Sequence, residues 1–128
     1  MKTFTEQELN RILDNHKLWL SSNGKNGERA DFSNAYLHSA NLLAEDLSYA
    51  NFRYADLRFA KLRNSTLNFA DLSFANLCSA NLSSADLNSA KLISASLDSA
   101  NLSYSDLNSA DLSNADLSNA DLSYAKLN

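Results

Sequence analysis

Cysteine is almost missing from this chain. Cys78 is the only one among 128 residues, so no intrachain disulfide framework can hold the fold, and a reducing, cytoplasmic setting is expected. Histidine occurs only at His16 and His38, and no group of candidate ligands falls at metal-binding spacing. Glycine is confined to Gly24 and Gly27, which leaves no glycine-rich loop to cradle a phosphate. No apolar run approaches the roughly 18 residues of a membrane span, and the opening "MKTFTEQELN" puts acids where a signal peptide needs an unbroken apolar region. Positive charge is not in excess either. The net charge of −4 argues against a general binder of nucleic acid or of anionic membranes. The expectation is therefore no metal, no cofactor and no membrane.

What the chain has in abundance is repetition. From Ala30 a Leu or Phe falls at every fifth position, from Phe32 and Leu37 through to Leu122 and Leu127, without one insertion. Two residues before each stands Ala, replaced only by Glu45, Ser65 and Ser105, and the residue between is usually Asp or Asn. Self-similarity of this kind is read before local propensity. A period of five suits neither common element. On an α-helix five residues advance about 500°, so the leucines would wander around every face. On a flat strand five is odd, so they would alternate between faces. Only a chain that turns a corner in every repeat keeps them on one side, with Leu and Ala inward and the remaining polar positions outward.

A longer period states how many repeats close one coil. Just after the central residue, Asn occurs only at Asn68, Asn88, Asn108 and Asn128, each 20 apart, and the exceptions Glu45, Ser65 and Ser105 share that spacing family. Aromatic residues pair likewise: Phe32 with Phe52, Tyr49 with Phe69, Tyr54 with Phe74, and Tyr104 with Tyr124. Four repeats per coil follow, with residues 20 apart stacked at about 4.8 Å, so five coils give a rod of roughly 24 Å. Asn and aromatic ladders would stabilise such a pile. Like charges are mostly kept apart: Asn51 and Lys91 intervene between Asp31, Asp71 and Asp111, and Asp86 under Asp106 is the direct Asp-on-Asp pair.

The phrase Ala-(Asp/Asn)-Leu-x-x, as in "ADLSFANLCSANLSSADL" from Ala70, closely resembles the pentapeptide repeat proteins, and the resemblance runs from Ala30 to Asn128. It implies an all-β solenoid, a right-handed quadrilateral β-helix of about five 20-residue coils, which agrees with the four-repeat coil. It also implies a second functional possibility. Some members are dimeric, acidic, DNA-shaped rods that bind DNA gyrase and protect it from quinolones. This chain departs from them in having no loop that interrupts the repeats. Its stretch 50–69 is also net positive, with Arg53, Arg58, Lys61 and Arg63 against Asp56.

Residues 1–29 follow a different rule and form a second unit beside 30–128. Thr5 with Glu8 makes a capping box, and Phe4 with Leu9 a hydrophobic staple, so a helix is expected. Leu9, Ile12, Leu13, His16 and Leu20 share one face of it, with Trp19 on the flank. "SSNGKNGERA" then loops into the first coil. The end of a β-helix exposes apolar side chains and unpaired strand groups, and an amphipathic helix there is a lid.

No catalytic constellation stands out. His16, on the apolar face of the lid, is expected to pack with a satisfied hydrogen bond. His38 is expected on an outward, solvated position, and Cys78 outward and away from any histidine. The carboxylates are spread around a rod, not converged on a cleft. The chain therefore reads as a non-enzymatic structural or interaction module. Its candidate partner-contact belt is Arg53, Tyr54, Arg58, Phe59 and Arg63, whose cations project from different sides and so favour a protein partner over nucleic acid. The last coil lacks a lid. Its Leu112, Leu117, Leu122 and Leu127 form an open apolar end, and a homodimer through that end is expected, a twofold contact that closes on itself.

Overall fold

The computed structural model describes every residue, Met1–Asn128. It has one named element, helix α1 (Glu6–Ser21), followed by a long succession of turns and single-residue parallel bridges. Sixteen bridges run from Asp31↔Asn51 to Asp106↔Lys126, each joining residues 20 apart in parallel register. The coil length read from the sequence is therefore the observed one. Extended strands are not formed: each pairing is one residue long, because a corner follows immediately.

Counted from its Asp or Asn, a repeat runs 31–35, 36–40 and so on, with the central Leu or Phe second and Ala fifth. Each repeat turns on a bond from the Ala N–H back to the central carbonyl, as from Ala35 to Phe32 (3.1 Å) and from Ala55 to Phe52 (3.0 Å). The fourth residue has φ near +60° at every corner, from Asn34 to Tyr124. Together these make type II-like turns, normally the preserve of glycine at that place. Here the position holds Ser, Asn, Ala, Tyr or Phe. Left-handed backbone costs such residues about 1 kcal/mol or more, and the fold offsets it by using the same peptide between coils: Asn34 N–H donates to the Arg53 carbonyl (2.9 Å), and this bond recurs coil after coil.

The other backbone groups explain the Asp/Asn preference, which amphipathic patterning alone does not. The N–H of the first residue donates to an Ala of the coil before (Asn51 to Ala30, 3.1 Å), and that of the second to the coil after (Phe32 to Asn51, 2.6 Å). Only the third N–H finds no carbonyl. All fourteen Asp and Asn residues at the first position accept it on Oδ1, as Asn51 does from Arg53 (3.0 Å) and Asn101 from Ser103 (3.0 Å). These are Asx-turns, and they satisfy the backbone without a neighbouring coil. Six of the third-position serines add their hydroxyl to the same oxygen, as Ser103 does on Asn101 (2.7 Å), whereas the Ser73 hydroxyl is left without a partner. Asn101→Ala should thus cost about 1 kcal/mol, the worth of one such bond, while Ser84→Ala, at a corner where Ala44 already sits, should change little. Thermal melts of the two variants check this; equal shifts would reject the turn's role.

Inside the coils lies one continuous core, built from the central residues and alanines of the first four coils together with Leu13 of α1. Phe32 stacks on Phe52 within it (5.1 Å). Ser65 and Ser105, at alanine positions, are buried and donate their hydroxyls to the Leu62 and Leu102 carbonyls (both 2.7 Å). Glu45, the third exception, is half-buried and reaches Lys17 of the helix (3.8 Å).

The expected aromatic pairs all form: Tyr49–Phe69, Tyr54–Phe74 and Tyr104–Tyr124 stack at 4.9–5.1 Å. The column Asp31, Asn51, Asp71, Lys91, Asp111 is joined as the spacing indicated. The Asn ladder is a correction. Asn68 Oδ1 has no partner, and Asn88 Oδ1 accepts from its neighbour Ser89 (3.0 Å). One rung exists, the Asn128 N–H donating to Asn108 Oδ1 (3.0 Å), and it forms where Lys126 offers no Asx oxygen. Elsewhere the Asx-turn already satisfies that N–H, so the amides have no common partner to share.

Candidate interaction surface

α1 lies across the first coil. Thr5 and Glu8 cap its start reciprocally (3.1 and 3.0 Å). Phe4 meets Phe32 edge-on (6.0 Å), while Leu9 and Ile12 pack against the core. Lys2 adds a parallel bridge to Ala35, donating its N–H to the Asn34 carbonyl and accepting from the Tyr36 N–H (2.9 and 2.7 Å).

His16 is the bolt of this lid. It is fully buried. Nδ1 accepts the Ala30 N–H (2.9 Å), so the proton sits on Nε2, which donates to the Ser48 carbonyl (3.0 Å). Burial holds the imidazole below its ordinary value of 6.5, opposed in part by the Ser48 bond and by Asp46. A proton on Nδ1 would also break the Ala30 bond. Stability from this lowered value is complete above about pH 6.5 and declines below it, because the unfolded chain takes up the proton first; linkage sets the slope at up to about 1.4 kcal/mol per pH unit. The melting temperature should therefore fall between pH 7 and 5, and His16→Gln should flatten that fall. An unchanged slope in the variant would assign it to other groups.

The belt residues fall at the second coil and meet different fates. Arg53 pairs with Asp71 (3.3 Å) and lies over the rings of Tyr54 and Phe74 (5.7 and 5.5 Å). Arg58 holds Asp56 through two bonds (2.9 and 2.6 Å), and that guanidinium keeps the Asp56 carboxyl below its usual range. Phe59 leans on His38 (5.4 Å), whose ring also stacks on Tyr36 (5.9 Å). His38 is thus outward but half-buried between rings, not freely solvated as expected. Arg63 and its neighbour Lys61 form no ion pair. Cys78 is half-buried, with Sγ 3.0 Å from Ser96 Oγ.

The spacing gave the Tyr49–Phe69 pair but not the residue of α1 that extends it. Trp19 of α1 meets Tyr49 edge-on (6.2 Å), and Tyr49 stacks on Phe69. At its head is an open hollow of about 300 Å³ lined by Trp19, Leu20, Asn23, Gly24 and Tyr49, and a smaller one of about 150 Å³ lies at Ile12, Asn15 and Glu28–Asp31. No three acids, cysteines or histidines are grouped to hold a metal ion, and no helix is long and apolar enough to cross a membrane.

At the far end, Leu112, Leu117 and Leu122 are half-buried and Leu127 is 57% exposed, against 2% for Leu107 one coil earlier. The N–H groups of Leu112, Leu117 and Leu122 have no acceptor there.

Comparison with known proteins matches this architecture. A family pattern described as pentapeptide repeats matches in eight copies over residues 30–68, 70–103 and 95–128. The chain belongs to the pentapeptide repeat family, whose members fold as right-handed β-helices. Among solved structures it is similar to a pentapeptide repeat protein from the thylakoid lumen of Arabidopsis thaliana (30% identity, TM-score 0.71, covering 73% of this chain and 65% of that one). It is also similar to the pentapeptide repeat protein Rfr23 of the cyanobacterium Cyanothece 51142 (31%, 0.62, 73% and 60%). This chain therefore spans less than two thirds of either relative. QnrB1, a plasmid-mediated fluoroquinolone resistance protein, matches at 20% identity and a TM-score of 0.38, too distant to carry an argument. No curated protein matches the sequence.

Proposed function

We propose that the protein is a non-enzymatic interaction module, a right-handed four-sided β-helical rod that presents a partner surface around its second and third coils. One observation carries this reading. Tyr49, Tyr54, Phe59, Phe69 and Phe74 occupy left-handed corner positions and stay 42–55% exposed, whereas every corner from 79 to 99 is Ser. Large rings held outward at strained positions, beside arginines fixed by carboxylates, have the composition of a protein-contact hot spot. The gyrase alternative has weaker support, since the second coil is basic where a DNA mimic needs acids. Partner capture from the native cell extract should be lost in a Tyr54→Ser/Phe59→Ser/Arg63→Ser variant and kept in Ser84→Asn. A gyrase supercoiling assay should show no effect; potent inhibition would reverse the preference.

For residues 1–128 as a unit, the open face of the last coil supports self-association of two copies through Leu112, Leu117, Leu122 and Leu127, with α1 at each outer tip. Light scattering should report a dimer that Leu122→Arg converts to monomer. A monomer at high micromolar concentration removes this part of the proposal and leaves the belt untouched.

A further inference from the structure

The upper edge of the first coil has four stretches, and three of them are engaged. Phe4 and Lys2 cover the first, through Phe32 and Asp31; Lys2 bridges the second at Ala35 and Tyr36; His16 holds the fourth at Ser48. The third, 41–44, is open. In every lower coil the corresponding residue sends both its N–H and its carbonyl upward: Lys61 N–H donates to Ala40, and the Lys61 carbonyl accepts from Leu42 (2.9 and 2.8 Å). Asn41 points the same two groups into space with no partner, as Asp31 and Asp46 also do, and so does the Leu43 carbonyl; what sets 41–44 apart is that neither α1 nor the N-terminal segment contacts it. Leu42 is buried in the core, but Asn41, Leu43 and Ala44 are exposed, and Leu43 shows 52% of its surface. One coil below stand Lys61 and Arg63, cations without an ion pair, and the coils beneath offer only neutral Asn81, Ser83, Asn101 and Ser103 before Asp121.

We infer that this open stretch is a strand-addition site for an extended acidic peptide segment of a partner protein. The pairing mode is already in use next door, where Lys2 of the chain's own N-terminal segment forms a single-residue parallel bridge to the same edge. Main-chain bonds to Asn41 and Leu43 supply the affinity common to any extended segment. Leu43 gives an apolar footing, and Lys61 with Arg63 select carboxylates and repel basic segments. Apart from the shared Arg63, the site does not involve the aromatic belt, so the two can fail separately.

The test uses the full chain, labelled with ¹⁵N, and a short synthetic peptide alternating valine and glutamate. Saturable shifts should centre on the Asn41 amide, with slowed exchange of that proton. Lys61→Glu/Arg63→Glu, two exposed changes that leave the core and Trp19 fluorescence alone, should weaken binding at least about tenfold, the combined worth of two surface ion pairs. Methylation of the peptide's alternate nitrogens should abolish it. Four results overturn the proposal: no saturable change at millimolar peptide, unaltered affinity in the double variant, shifts centred on Leu112, Leu117 and Leu122, or Asn41 shifts that depend on protein concentration without peptide, which would make the occupant a second copy. Tyr54→Ser/Phe59→Ser should leave this binding unchanged, which separates its outcome from that of the belt.

Discussion

Leu87→Lys should unfold the rod. Leu87 has no exposed surface and sits mid-column between Leu67 and Leu107, also buried. The change removes an apolar side chain that contributes about 1.5–3 kcal/mol by burial and puts in its place a cation with no anion inside the core. A loss of about 4 kcal/mol or more is expected, comparable to the whole stability of a marginal domain. The effect should spread, because each coil is held by the two beside it. Ser83→Lys, four residues away, should stay within about 0.5 kcal/mol. It places the new charge at the third position of a repeat, where the coil above already carries Arg63. Far-ultraviolet circular dichroism against temperature measures both. Similar melting points for the two variants would mean that the inward register is wrong.

The second large effect is expected at Gly27. Its φ is +71°, and a Cβ there would lie 2.3 Å from the Asn15 carbonyl oxygen and 2.8 Å from the Trp19 nitrogen, both backbone atoms of α1. Neither can yield without moving the helix. Gly27→Ala should therefore cost about 3 kcal/mol or more, strain and clash together, and lift the lid from the first coil. Gly24→Ala shares the positive φ (+84°) but meets only the Trp19 ring at 3.4 Å, and should cost about 1 kcal/mol. Trp19 is the only tryptophan and packs against His16 and Tyr49 (5.7 and 6.2 Å), so its fluorescence reports on the lid directly. Native emission from Gly27→Ala would show that the loop can re-route.

A lid held by His16, Phe4 and Lys2 also shapes what the coils can bind. It contacts three stretches of the first coil's edge and leaves the one at Asn41 free of any contact, beside the two cations that lack carboxylate partners. The arginines most conspicuous in the sequence, Arg53 and Arg58, are the ones already neutralised, by Asp71 and Asp56.

The repeat unit, the four-repeat coil, the inward leucines, the aromatic pairs and the capping helix were all legible in the linear chain. The reason is that each rests on spacing: a period of five admits no helix or flat strand, and residues 20 apart become neighbours once the coil closes. The candidate surface was legible only as composition. Which arginine pairs with which acid depends on the reach of side chains between coils, as Arg53 to Asp71, and spacing does not encode reach. The left-handed corners were hidden because no glycine marks them; bonds between coils hold Tyr and Phe there instead. The Asx-turns were hidden because Asp and Asn read as merely polar until the backbone N–H groups are counted. The two bonds of His16, the Trp19–Tyr49 contact and the open edge at Asn41 all depend on where the helix lies across the first coil. Only tertiary packing decides that, since the helix's apolar face would suit any apolar end.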